Sequence, residues 1–340
     1  MNDRSSQRKQ FLIQHNWGEA TISALIPDAS TRRYFRLTKG TDHAMLMDDI
    51  GGAANVKPFV QVTKHLASLD VRTPKIYHQD GENGFLMLED LGNDTFTTLL
   101  NKGCDDYELY PRAIDLLAKL HNQPNAKKIE LPPYDFKHFI DEANLFADWY
   151  VPATKKMKLE PSQRSLYRTT WQQIFQALPP LQSTLVLRDY HVDNLMLIHD
   201  QCAALDYQDA LIGSIAYDVV SLLEDARRDV SMTLSAEMKQ RYLEQNPETN
   251  RAHFDHHLTV WGVQRHCKVA GIFVRLWLRD NKPVYLRHLH RVMSLIERHI
   301  DNPNLFPLKN WMEENKVSLK HSALDPNQAD LARAVINSPF

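Results

Sequence analysis

Three oxygen-bearing side chains, Asp189, Asn194 and Asp206, carry the chemistry legible in this chain. The run Leu185-Val-Leu-Arg-Asp-Tyr-His-Val-Asp-Asn194 reads as a short apolar strand leading into Arg188-Asp189 and then Asn194. Cys202-Ala-Ala-Leu-Asp-Tyr-Gln-Asp209 reads as a second strand ending on Asp206. An Asp-x-x-x-x-Asn spacing, then a strand, then a further Asp, suits phosphoryl transfer. One carboxylate positions the attacking hydroxyl, while an amide and a second carboxylate hold Mg²⁺ beside the phosphates of ATP. Asp189 is the expected catalytic carboxylate, which accepts or orients the proton of the acceptor hydroxyl. Asn194 and Asp206 are the expected metal ligands, because Mg²⁺ prefers hard oxygen donors and completes its shell with phosphate oxygens. Each of the three, taken alone, also reads as a turn former, a cap or a strand end; the argument lies in the combination. Asp209 fits either a loop cap or a group supporting Asp206. His191, Asp193, His199, Asp200 and Asp206 suggest a second reading, a His/Asp metallohydrolase centre. That reading converges poorly, since His199 and Asp200 fall at the far end of the predicted hairpin.

Positioning these groups requires particular elements. A hairpin with strands over 195–199 and 202–205, turning at Asp200-Gln201, holds Asn194 and Asp206 at one end of the ribbon. Ahead of it, the pattern predicts a helix over 3–16, strands over 20–26, 33–38 and 43–49, a helix over 56–69, and strands over 74–77 and 84–89. That is a small sheet with one helix laid on it. After Leu91-Gly92 the pattern turns helical, with helices over 111–121, 135–150, 162–178, 217–228, 235–245, 254–279 and 283–299, and a short docking helix over 328–336. The expected class is α+β in two lobes: an N-lobe over residues 1–90 and a C-lobe over 91–340 that carries the catalytic loop, metal site and substrate pocket.

The bulk numbers agree with a soluble globular protein: 340 residues, 43% hydrophobic and 24% charged. A net charge of -2 gives no basic balance that would point to nucleic acid. No apolar run approaches the roughly 20 residues of a membrane span, and Met1-Asn-Asp-Arg-Ser-Ser-Gln lacks the apolar core of a secretory signal. Cys104, Cys202 and Cys267 are odd in number and lack metal-type spacing, so a reducing cytoplasm is expected. The sequence sets no oligomeric state.

Leu187-Arg188-Asp189, Asn194 and Leu205-Asp206-Tyr207 together resemble the pattern His-Gly-Asp, four residues, Asn, strand, Asp-Phe or Asp-Tyr. That pattern belongs to the aminoglycoside phosphotransferase and choline kinase-like enzymes, relatives of the protein kinases. Gly213-Ser-Ile-Ala-Tyr-Asp218-Val-Val-Ser-Leu-Leu resembles their Gly-Pro-x-x-Tyr-Asp-Leu-x-Ser-Leu-Leu segment. Asp28-Ala-Ser-Thr-Arg32-Arg33-Tyr34, Leu88-Glu-Asp-Leu-Gly92, Leu145-Phe-Ala-Asp-Trp149-Tyr150 and Gln264-Arg-His-Cys-Lys268 look like one subgroup, the bacterial anomeric kinases of N-acetylmuramate and N-acetylglucosamine used in cell-wall recycling. The resemblance runs from about residue 10 to about residue 310. It implies a two-lobe protein-kinase-like fold, ATP and Mg²⁺, and a small-molecule sugar acceptor phosphorylated at its C1 hydroxyl. It also implies that Asp189 is the base, that Asn194 and Asp206 bind metal, and that Asp218 braces the catalytic loop. The backbone near Glu89 is expected to meet adenine.

This chain departs from a typical kinase in three features and from the subgroup in one. Its third strand, Ala44-Met-Leu-Met47, lacks the phosphate-binding lysine, and no Glu falls between residues 53 and 69 to pair with one. The turn Asp28-Ala-Ser-Thr-Arg-Arg is not glycine-rich, and Ile50-Gly51-Gly52 stands where the subgroup carries Pro-Pro-Glu. Phosphate charge is therefore expected to fall to Ser30, Thr31, Arg32 and Arg33, with Arg36 nearby. For the sugar, Glu142, Asn144, Trp149, Arg265 and Lys268 are the candidates, a cation being wanted for a lactyl carboxylate. The rival readings are a kinase of another small alcohol or aminoglycoside, and a nucleotide-binding pseudokinase module.

Overall fold

The protein is described by a computed structural model covering residues 4–25, 32–319 and 324–337. The chain forms two compact units, Met1–Glu130 with Leu187–Ala210, and Leu131–Val186 with Leu211–Phe340.

The first unit opens with α1 (Arg4–Gln14), β1 (Thr21–Ala24), β2 (Arg33–Lys39), β3 (Asp42–Asp48), α2 (Ala53–Ser68), β4 (Ile76–Asp80) and β5 (Phe85–Glu89), then α3 (Phe96–Asn101) and α4 (Asp106–His121). The chain enters the second unit with α5 (Phe136–Leu145), a π-helical turn over Phe146–Tyr150, α6 (Val151–Lys155), α7 (Pro161–Gln176) and β6 (Ser183–Val186). It returns to the first for β7 (Leu195–Ile198) and β8 (Gln201–Ala204). The second unit resumes with β9 (Leu211–Ser214), α8 (Ala216–Leu223), α9 (Met232–Gln245), α10 (Arg251–Asp280), α11 (Leu289–His299), α12 (Phe306–Glu314) and α13 (Ala329–Asn337).

The N-terminal sheet is antiparallel in the order β1-β2-β3-β5-β4. Lys39 pairs with Asp42 across a two-residue turn, where Gly40 supplies a φ of 60°. Alternation sends Phe35, Leu37, Ala44, Leu46, Phe85 and Met87 to one face, and Phe11 and Leu12 of α1 cover it. So α1 is a helix laid on the sheet. The helix expected over 56–69 starts at Ala53, directly after the Gly51-Gly52 pair. It docks through Phe59 and Thr63 on Tyr207, with Thr63 Oγ1 2.9 Å from the Tyr207 hydroxyl.

The β7–β8 hairpin forms as expected, with its turn one residue earlier, at His199-Asp200. Both residues have positive φ, 45° and 64°, which a tight two-residue turn requires. Both edges of this ribbon are secured: Leu197 N donates to Asp94 O and Ala204 N to Arg72 O.

Around α10, the second unit is built as a helical core of Phe139, Trp171, Tyr217, Trp261, Trp277 and Trp311. Here the sequence reading needs correction. The helix expected over 135–150 runs on to Lys155 through the π turn. The helix expected over 217–228 stops at Leu223, where Glu224 leaves helical geometry. The strand at 183–186 pairs with β9, a strand the sequence pattern missed. The sequence pattern also missed α12.

Candidate active site

The catalytic loop follows β6. Arg188 takes a φ of 70°, and Asp189 N donates to Leu187 O at 2.9 Å, which closes a tight γ-turn. Arg188 Nη1 reaches the Asp209 carbonyl at 3.0 Å and steadies this left-handed residue. Tyr190 hangs the loop on α4 through a 2.7 Å bond to Ala113 O, and Thr97 of α3 donates to the Asp193 carboxylate. Asp189 is thus presented from a loop fixed on both flanks.

Asn194 and Asp206 leave the β7–β8 ribbon at the same end, because Leu205 N donates to Asn194 O at 2.8 Å. Asn194 Nδ2 donates to the Asp189 carbonyl at 2.9 Å, so its amide oxygen is turned the other way. Asp206, with a φ of 55°, directs its carboxylate toward Arg32 Nη1 and Gln208 Nε2, each 3.1 Å from Oδ1. Burial raises the Asp206 pKa, and the nearby negative charge of Asp189 raises it further, against the opposing pull of Arg32. Two carboxylates that feel each other, beside a spare amide oxygen, make an anionic pocket of hard donors suited to Mg²⁺. Among the described residues, no three His, Cys, Asp or Glu side chains group as a metal cage. A site with two side-chain donors fits an ion that finishes its shell with phosphate oxygens and water. Asp209 stands behind this site, its carboxylate taking a 3.0 Å bond from Gln208 Nε2.

Among the nucleotide candidates, Ser30 and Thr31 lie outside the described residues. Arg32 joins the site, with its side chain only 11% exposed. Arg33 is exposed on the other face of β2. Arg36 bonds Asp90, Asn93 and the Gly92 carbonyl, tying β2 to the segment after β5. Glu89 is held bidentately by Arg72 at 2.6 and 2.8 Å, and by Lys75 N. Burial alone would raise its pKa, but Arg72 and the Lys75 amide outweigh it and lower it. Its side chain is engaged within the protein.

The acceptor candidates all lie in the second unit. Glu142 and Lys268 form an ion pair at 2.8 Å, joined by Tyr134, whose hydroxyl donates to Glu142, and by Gln264 Nε2. Lys268 also approaches the Tyr217 hydroxyl at 3.4 Å. Arg265 is 4% exposed, with Nη1 buried and without a hydrogen-bond partner; the neighbouring Gln264 Oε1 is in the same condition. Asn144 is partly buried, and Trp149 packs against the helical core. Asp218 is buried in the first turn of α8. Tyr134 and Asp49, whose carboxylate anchors Arg32, had no sequence signal, while Tyr217 lies in the Gly213-to-Leu223 segment in which only Asp218 was given a role.

Comparison with known proteins gives the family and the fold. Residues 21–254 match the model of a family described as the phosphotransferase enzyme family. The chain is 35% identical over 297 residues to the N-acetylmuramate/N-acetylglucosamine kinase of Pseudomonas aeruginosa, covering 85% of this chain and 87% of the relative. It is 37% identical over 288 residues to the protein of the same name from Neisseria meningitidis, covering 80% and 83%. A crystal structure of a choline/ethanolamine kinase family protein from Mesorhizobium loti superposes with a TM-score of 0.62 at 12% identity, covering 92% of this chain and all of that one. The shared fold is a small antiparallel N-terminal sheet followed by a largely helical remainder.

Proposed function

The chain belongs to the phosphotransferase enzyme family, and from that premise we propose that it transfers the γ-phosphoryl group of ATP to the C1 hydroxyl of N-acetylmuramate or N-acetylglucosamine. The observation that carries this reading is the grouping of Asp189, Asn194 and Asp206 at one end of the β7–β8 ribbon, in a chain 35% identical to kinases of that name.

The Asp189 carboxylate accepts the C1 hydroxyl proton as the acceptor oxygen bonds to phosphorus and the bond from phosphorus to the bridging β–γ oxygen breaks. The tight turn around Arg188 fixes the backbone from which that carboxylate is presented. Asn194 and Asp206 would hold Mg²⁺, which supplies positive charge to the phosphate oxygens. Lobe residues 1–90 cover the nucleotide, with the backbone near Glu89 meeting adenine, and 91–340 supply the rest. Asp218 braces the catalytic loop. Glu142, Asn144 and Lys268 grip the sugar, and Trp149 supplies apolar surface. The Lys268 charge is already neutralised by Glu142, so the lactyl carboxylate of N-acetylmuramate falls to Arg265. No helix among the described residues is long and apolar enough to cross a membrane, and we place the reaction in the cytoplasm, in the recycling of cell-wall sugars.

The test is a coupled ADP-release assay with both amino sugars, with ³¹P NMR to identify a 1-phosphate product. Turnover of choline or an aminoglycoside with neither amino sugar consumed overturns the acceptor assignment. Tight ATP binding with no ADP release from any acceptor supports a pseudokinase instead. Replacing Arg265 by Gln is expected to lower kcat/KM for N-acetylmuramate by about 30-fold, the worth of a charge-assisted bond, and to leave N-acetylglucosamine within about threefold.

A further inference from the structure

The missing lysine and glutamate leave a gap, and the first unit contains one pair whose geometry fills it. Arg32, just before β2, places Nε 3.1 Å from Asp49 Oδ2 and Nη1 3.1 Å from Asp206 Oδ1. The guanidinium therefore spans from the end of β3 to a proposed metal ligand. Asp49 is fully buried, and its carboxylate is saturated. Asn55 Nδ2 lies 2.9 and 3.0 Å from its two oxygens, and Gly51 N donates to Oδ1 at 2.8 Å. Backbone contacts fix the seat as well. Asp49 N donates to Gly84 O, and a Cβ on Gly84 would stand 2.0 Å from Asp49 O. Arg4 of α1 donates to the same carbonyl. The guanidinium also donates to the Tyr34 phenol oxygen.

A buried anion so firmly held has one evident use, to fix a cation. We propose that Arg32 is the side chain that meets the nucleotide phosphates, and that Asp49 is the positioning residue that aims it, an arginine–aspartate pair in place of a kinase's strand lysine and helix glutamate. The Gly51-Gly52 pair belongs to the same device: Gly51 N completes the Asp49 seat, and Gly52, with a φ of 60°, turns the chain into α2. The fork of a guanidinium suits this double duty. Nε stays on Asp49 while the far end serves an oxygen in the site, which an ammonium cannot do in one plane.

This inference rests on the phosphotransfer reading, and calorimetric titration with ADP separates the two. If wild type binds no ADP, with or without Mg²⁺, the reading itself fails. If wild type binds, Arg32→Gln is expected to weaken ADP by about 30-fold and Asp49→Asn by about 10-fold, the span of charge-assisted hydrogen bonds. The double variant should bind no worse than Arg32→Gln alone, because Asp49 acts only through Arg32. Arg32→Lys, which keeps the charge without the fork, should recover part of the loss. In turnover, KM for ATP rises while KM for the acceptor stays put. Losses that add in the double variant, or ADP affinity unchanged in Arg32→Gln, overturn the pairing. If Asp49→Asn does not fold, Asn55→Ala loosens the same carboxylate. It should weaken ADP a few-fold in the wild-type background and not at all beside Arg32→Gln; equal loss in both backgrounds overturns the proposal.

Discussion

Arg188 occupies a position where a side chain is a disadvantage. Its φ of 70° lies in the region where glycine alone is comfortable, and its bond to the Asp209 carbonyl offsets that strain. Arg188→Ala keeps the strain and loses the bond, whereas Arg188→Gly loses both. The glycine variant is therefore expected to be more stable than the alanine variant by about 1 kcal/mol in urea unfolding. Asp189→Asn should lower kcat by about 10³-fold, in the range for losing a general base, with ADP affinity little changed. It has a second consequence through charge. The Asp206 pKa is raised by burial and then by Asp189, so Asp206 takes up a proton at a higher pH than an ordinary aspartate. Mg²⁺-dependent ADP binding should accordingly fade on acidification sooner than a normal carboxylate would predict. In Asp189→Asn the fading should move to lower pH, but not all the way, because burial remains. ADP titrations across pH read this directly. That Asp189, Asn194 and Asp206 belong together was legible because kinase chemistry fixes their spacing. Asp49 was not, since an Asp closing a strand looks the same whether it caps a turn or anchors an arginine.

At the scale of elements, the sheet and the long helices followed from alternation and helical periodicity, and the misses have physical causes. The β6–β9 ribbon joins segments separated by the catalytic loop and a hairpin. Leu211-Ile-Gly-Ser214 is too short to show a period of two. The helix after Phe136 gains a residue in its π turn, which breaks the 3.6-residue pattern near Trp149 and conceals its continuation. α8 stops early because the Glu224 carboxylate is claimed by His266 at 2.7 Å and His299 at 2.6 Å. Helix α10 passes the end of α5 so closely that a Cβ on Gly271 would stand 2.2 Å from the Leu145 carbonyl oxygen. Backbone atoms cannot step aside as a side chain can. Gly271→Ala is expected to cost about 3 kcal/mol in urea unfolding, at the upper end for overpacking.

For the whole molecule, the His266–Glu224–His299 cluster sets the acid limit of stability. Burial alone would raise the Glu224 pKa, yet the two imidazoles lower it from 4.5 to about 2. Stability from this carboxylate is present above pH 4.5 and is lost as pH falls toward 2. Burial lowers the His266 pKa as well, so protonation of this imidazole in the unfolded chain draws stability down from about pH 6.5. The two effects run the same way. Glu224→Gln should lose about 3 kcal/mol at neutral pH and flatten the stability profile below pH 4.5, as denaturant midpoints across pH will show. The order of synthesis meets a different constraint. The chain leaves its first unit at Glu130 and comes back at Leu187. While the intervening stretch is being translated, the Ala113 carbonyl awaits Tyr190, Thr63 awaits Tyr207, and Arg32 awaits Asp206. A ribosome stalled just short of codon 187 therefore displays a half-built first unit with these seats bare, the moment when a nascent-chain chaperone has most to hold.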